Sequence, residues 1–139
     1  MQPLYEVTLI RPWHWGIAVV SAMGAELPRL LSGALVTASP DALVIKVRHA
    51  QDTDADVFEG DLAWATASVR VRSLTRFESE EPALHEGTLR LPGGRLTIGD
   101  ADSEVTVSGL DETNRVRVSV VAEDGVSATE VVIDMAPAL

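Results

Sequence analysis

Carboxylates dominate the polar side chains of this chain, and they fall in short runs whose spacing could gather oxygens around a cation or a basic partner. Asp52-Thr53-Asp54-Ala55-Asp56 opens as D-x-D-x-D, the start of a calcium loop in which alternate oxygens converge on one ion. Completing that loop takes a turn-forming Gly at the sixth position and a bidentate Glu at the twelfth. Val57 and Ala63 stand there instead, so no EF-hand forms. Asp100-Ala101-Asp102-Ser103-Glu104 departs from the motif in the same way, with Val105 sixth. A looser calcium site in either loop stays open on the sequence alone.

Other chemistry is thinly represented. His14, His49 and His85 are widely spaced, with no pair at a zinc-ligand interval. His49 near Asp52 and His85 beside Glu86 are the only histidine–carboxylate neighbours, and strand-end or surface positions account for them as well. Gly94 and Gly99 have the outer spacing of a phosphate loop, but Asp100 and Ala101 occupy the places of its Lys and Ser/Thr. Neither G-x-S-x-G nor G-x-G-x-x-G occurs, and the absence of cysteine removes thiolate chemistry and disulfides together. The expectation is a protein that is not an enzyme, with no catalytic residue, cofactor or metal.

Trp13-His14-Trp15 follows Arg11-Pro12. On a strand the two indoles share one face, where they either anchor a partner, as Trp often does at interfaces, or fill one end of the core. Both readings stand.

Charge narrows the class of partner. With 21 acidic and 11 basic residues the net charge is −10. Nucleic acid is disfavoured, because phosphate binding draws its affinity from Lys and Arg. A basic protein is the complementary partner. The longest apolar stretch, Trp15 to Ala25, covers 11 residues, short of the ~20 that a membrane helix needs. It has the length of a signal-peptide core, but only Arg11 precedes it and the flanking sequence alternates like a strand, so a cytoplasmic protein without membrane attachment is expected.

The elements that must position these groups are strands. At 139 residues the chain fits a single domain, 1–139, able to bury about two-thirds of its extended surface. Period-two alternation runs end to end. Leu43, Ile45 and Val47 oppose Lys46 and Arg48; Val69 and Val71 oppose Arg70 and Arg72; Val116, Val118 and Val120 oppose Arg115 and Arg117. Leu89 and Leu91, then Leu96 and Ile98, flank Pro92-Gly93-Gly94, which reads as a tight reversal between two strands. Further strands are expected at Leu4 to Ile10, Ala34 to Thr37, Glu104 to Ser108 and Thr129 to Met135, and short helices at most at Met23 to Leu31 and Pro82 to Glu86. The fold class is all-β, an antiparallel β-sandwich of about nine or ten strands with at most one or two short helices. On this frame the arginines sit at outward strand positions and the acids cluster in connections. Either the arginines pair across strands while the acids stay solvated, or several acidic loops share one end and charge it negatively.

The order of Leu91-Pro92-Gly93-Gly94-Arg95-Leu96-Thr97-Ile98, Val105-Thr106-Val107, Arg115-Val116-Arg117-Val118-Ser119-Val120 and Thr129-Glu130-Val131-Val132-Ile133-Asp134 resembles the C-terminal half of a family of small bacterial β-sandwich proteins that includes the competence nuclease inhibitor ComJ, over about residues 87 to 136. The resemblance implies a non-catalytic protein-binding domain, an inhibitor or immunity protein for a nuclease or basic toxin. The charge suits that role, with Asp52, Asp54, Asp56, Asp100, Asp102 and Glu104 as the acidic contacts and Trp13 and Trp15 as apolar ones. Two alternatives remain at this point. One is a structural or assembly sandwich that self-associates into a homo-oligomer through its tryptophans, and the other is a β-barrel that holds an apolar small molecule inside.

Overall fold

The computed structural model describes residues 4–29, 33–51, 65–77 and 83–138, together with the backbone of 57–58 and 61–62. Strands β1 (Tyr5–Arg11), β7 (Ala67–Ser73), β8 (His85–Arg90), β11 (Thr113–Val121) and β12 (Glu130–Pro137) form one five-stranded sheet in the order β1-β7-β12-β11-β8. Strands β2 (Ile17–Ala22), β3 (Val36–Ser39), β4 (Ala42–Lys46), β9 (Leu96–Gly99) and β10 (Glu104–Val107) form the other, β10-β9-β2-β4-β3. A separate two-stranded ribbon pairs β5 (Val57–Phe58) with β6 (Asp61–Leu62). The expected all-β sandwich is the observed fold.

Alternation builds its core. Val69 and Val71 of β7, Val116 and Val118 of β11 and Val131 and Ile133 of β12 close one inner face. Ala18 and Val20 of β2, Leu43 and Ile45 of β4 and Leu96 and Ile98 of β9 close the other. Each such Val, Leu or Ile taken from water contributes roughly 1.5–3 kcal/mol, the main favourable term for a chain with few aromatics. Both sheets have open ends and the space between them is filled by these side chains, so the barrel with an apolar interior ligand is not realised.

Four expectations change. The pairing is antiparallel except between β7 and β12, which run parallel, Val131 opposite Val69 and Ile133 opposite Val71. Pro92-Gly93-Gly94 does not close a hairpin: β8 lies in one sheet and β9 in the other, so the turn is a corner that carries the chain across the sandwich. Gly94 is required there, since its φ is +68° and a Cβ would stand 2.3 Å from the Leu110 carbonyl oxygen. No helix forms over Met23 to Arg29, where Gly24 takes a positive φ and Pro28 follows; Leu30 and Leu31 lie outside the described residues. The other expected helix is replaced by the start of β8 at His85, its first residue Pro82 lying outside the described residues.

The outward arginines pair across strands. Arg72 donates from Nε and Nη2 to both carboxylate oxygens of Asp134, at 2.7 and 2.8 Å, directly across the parallel register. Arg117 pairs with Glu86 at 2.8 Å and Arg70 with Glu6 at 3.4 Å, while Arg90 joins Asp41 of the β3–β4 turn at 3.1 Å. Arg115 lies over the Phe77 ring, 5.1 Å from its centroid.

Candidate functional site

Strand register sorts the connections between the two ends of the sandwich. Ile17 opposite Lys46, Val19 opposite Gly99, Arg11 opposite Ala67 and Val121 opposite Glu130 place one set of turns together. These are the β1–β2 turn with Trp13 and Trp15, the β9–β10 turn with Asp100 and Asp102, the β11–β12 turn with Glu123 and Asp124, and the segment 47–51. Glu104 begins β10 at the same end. The acids of the β9–β10 and β11–β12 turns therefore share an end, and Asp111 and Glu112, which precede Thr113, sit at the opposite one. Asp52, Asp54 and Asp56 lie outside the described residues; Gln51, just before them, belongs to the segment at the acidic end.

The two tryptophans part company. Pro12 ends β1, and the chain turns at His14 to Gly16, with the Gly16 N–H donating to the Trp13 carbonyl at 3.1 Å and Gly16 at φ +68°. The segment is not a strand, so the indoles do not share a face. Trp13 is fully buried in the core and its Nε1–H donates to the Ala67 carbonyl at 3.0 Å, which withdraws it from any partner. Trp15 is 59% exposed.

Asp100 is enclosed. Its Oδ1 accepts from the N–H groups of Asp102 and Ser103 at 3.0 and 3.2 Å and stands 3.2 Å from Nη2 of Arg11, which also donates to the Ser103 carbonyl and stacks on Trp13, 3.8 Å from the ring centroid. A short polar side chain that binds its own following N–H groups is the usual device for a tight turn. Gly99 serves the same hairpin, since a Cβ there would meet the Ser103 carbonyl oxygen at 2.2 Å. Asp100 thus ties the hairpin to β1, and the exposed carboxylates of the turn are Asp102 and Glu104. In the β11–β12 turn the Asp124 carboxyl is held below its ordinary pKa, first by the backbone N–H of Ser127, then by that of Val126 and by the Ser127 hydroxyl.

Outside the second sheet, along β2 and β9, lies a groove of about 460 Å³. Ile17 and Val19 face into it, and Trp15 stands at the acidic end with Asp100 and Glu104. Met23 and Leu27, both more than half exposed, bound the far end. Midway, Ser21 and Thr97 are buried and bond to each other, Oγ to Oγ1 at 3.1 Å, so the floor is polar but internally satisfied. The structure thus gathers Trp15, Asp100 and Glu104, named from sequence, around walls that sequence reasoning missed. The signal for those walls was the unbroken apolar run: β2 is apolar on both faces, which a half-buried strand does not need. Among the described residues no cluster of three or more His, Asp or Glu could hold a metal ion, and no helix is long and apolar enough to cross a membrane.

The chain matches no family model and no curated protein. Among solved structures it is similar to ComJ from Bacillus subtilis, described as an inhibitor of the DNA-degrading activity of NucA, with a TM-score of 0.58 and 9% identity, over 99% of this chain and 98% of that one. The likeness extends the resemblance seen in residues 87 to 136 to the whole fold.

Proposed function

We propose that this domain is a non-catalytic protein-binding module that inhibits a nuclease or neutralises a basic toxin, as an inhibitor or immunity protein in the cytoplasm, and binds its target through the acidic end of the sandwich. The observation that carries this reading is that Trp15, Asp102 and Glu104 stand at the same end of the sandwich as Glu123 and Asp124, on a chain whose net charge is −10. A nuclease exposes a cationic surface to DNA, and a carboxylate-lined end with an apolar anchor competes for such a surface by presenting the charge of phosphate. The full-length likeness to a nuclease inhibitor supports the same reading. Asp52, Asp54 and Asp56 belong to this proposal as further contacts, and Asp100 as the residue that holds the turn in place. Opposite fields accelerate encounter by roughly 10- to 1,000-fold at low ionic strength, and that gain falls steeply with salt.

The test is affinity capture from the source cell's lysate at low salt, stepwise elution with salt, and a DNA-degradation assay on what elutes. Capture of a basic nuclease or toxin, inhibited by the wild type and released by a Asp102→Lys, Glu104→Lys, Glu123→Lys variant that unfolds at the wild-type temperature, is the expected outcome. Equal inhibition by the triple variant refutes the acidic contact. Recovery of this chain alone, with self-association that resists salt, refutes the role itself.

A further inference from the structure

We infer that the groove along β2 receives an extended segment of the target protein that carries an arginine or lysine at one end and an apolar side chain about four to six residues further on. The inference rests on the protein-binding reading above and specifies how that target is recognised.

The groove is polarised along its length. At one end Glu104 is exposed at the rim and Asp100 lies in the wall, its Oδ1 engaged by Arg11 and two backbone N–H groups and its Oδ2 without a hydrogen-bond partner among the described residues. Among the described residues no Lys, Arg or His lines the groove; Arg11 is engaged with Asp100, and Lys46 stands opposite Ile17 on the neighbouring strand, outside the lining. This end favours a cation. Trp15, exposed beside it, offers a ring face on which a guanidinium or a lysine stem can lie.

The other end favours carbon. Met23 and Leu27 are 52% and 51% exposed, a large apolar area to leave in water on so small a domain. Between the ends, Ile17 and Val19 provide apolar contact while Ser21 and Thr97 satisfy each other, so a bound chain meets no unmet donor on the floor. From Ile17 to Ala22 the strand advances five residues, or roughly 17 Å at 3.3 Å per residue, which an extended peptide spans in about five residues. That length sets the interval between the basic and apolar anchors. A compact cation fills only one end and an uncharged apolar ligand brings no positive charge to Glu104 or to Oδ2 of Asp100, so the two-ended segment is the occupant that fits both.

The experiment uses the full chain, labelled with ¹⁵N, and the peptide acetyl-Arg-Ala-Ser-Ala-Leu-Leu-amide as probe. Expected are saturable shifts of the Trp15 indole N–H and of the Ala101 to Glu104 amides, with affinity lowered about tenfold or more by Glu104→Lys and by Leu27→Asp, both at exposed positions. Replacing the peptide's Arg by Glu should abolish the shifts. Absence of saturable shifts, equal shifts with the Glu peptide, or the same shifts on concentrating the protein alone each overturns the inference, the last by making a second copy the occupant. If a basic nuclease is captured and lost on reversing Asp102, Glu104 and Glu123 but the peptide does not bind, the groove inference fails and the inhibitor reading stands. If the peptide binds and no basic target is captured, the converse holds.

Discussion

Replacing Trp13 and Trp15 separately by Ala tests the division of labour within one tripeptide. Trp13 is fully buried, and truncating a buried Trp to Ala removes roughly 3–5 kcal/mol through lost transfer energy and the cavity left behind. The Ala67 carbonyl, on a residue only 2% exposed, loses the indole N–H, and a buried acceptor left unmet costs about 1–3 kcal/mol, part of it already within that range. Arg11 also loses the ring on which it stacks, though it keeps Asp100 and the Ser103 carbonyl. A cost of about 4 kcal/mol is expected for Trp13→Ala. With a urea slope of about 2 kcal/mol/M, that moves the unfolding midpoint down by roughly 2 M. Trp15→Ala removes a largely exposed side chain and should change stability by no more than about 0.5 kcal/mol. Urea titration followed by circular dichroism measures both variants without relying on tryptophan emission. Trp13→Phe then isolates the N–H, with an expected loss of about 1–3 kcal/mol. Equal midpoint shifts for the two alanine variants, or a loss below about 2 kcal/mol for Trp13→Ala, would refute the assignment of Trp13 to the core and of Trp15 to the surface.

Two further outcomes follow from the backbone and from the outer face of the first sheet. Gly94→Ala should destabilise the domain by about 2 kcal/mol or more, because it adds the cost of a left-handed backbone to a collision with the Leu110 carbonyl oxygen; Gly93→Ala, at a similar φ but with open space around it, should cost only the backbone part, and thermal unfolding of the pair separates the two terms. A double-mutant cycle on Arg72→Ala and Asp134→Ala should return a coupling of about 1 kcal/mol that weakens in high salt, since the pair is two-pronged and only partly exposed, whereas a cycle on the more exposed Arg70 and Glu6 should return close to nothing.

The parts of the molecule legible in its sequence are those governed by strand periodicity. Val69 and Val71 against Arg70 and Arg72, or Val116 and Val118 against Arg115 and Arg117, declare their inner faces because a period of two admits one assignment. What periodicity does not encode is which strand lies beside which. The Pro92-Gly93-Gly94 corner has the composition of a hairpin turn, and only the partners of Leu91 and Leu96, in different sheets, reveal it as a crossing. The Trp13 and Trp15 contrast was hidden likewise, since the split arises where Pro12 ends β1 and Gly16 turns the chain. At the site, Asp100 and Glu104 were visible as acids, but the pairing of Asp100 with Arg11 joins residues far apart in the chain. Asp102 and Glu123 come to one end only through the register of β9, β2, β4 and β11, which no local pattern carries.

The parallel contact between β7 and β12 has a consequence for the order of assembly. Among the described strands β12 comes last in chain order yet lies in the middle of its sheet, with the antiparallel pair β1 and β7 on one side and β8 and β11 on the other. Without Glu130–Pro137, β7 and β11 each lack one neighbour in the sheet. Closing that gap joins residues about 60 positions apart, as in the pairing of Asp134 with Arg72, a non-local step of the kind that slows folding and lengthens exposure of sticky strands. The charged side chains of Glu6, Arg70, Arg72, Glu86 and Arg117 lie on the outer face of that sheet and are of the kind that disfavours wrong pairing between copies while such a non-local sheet closes.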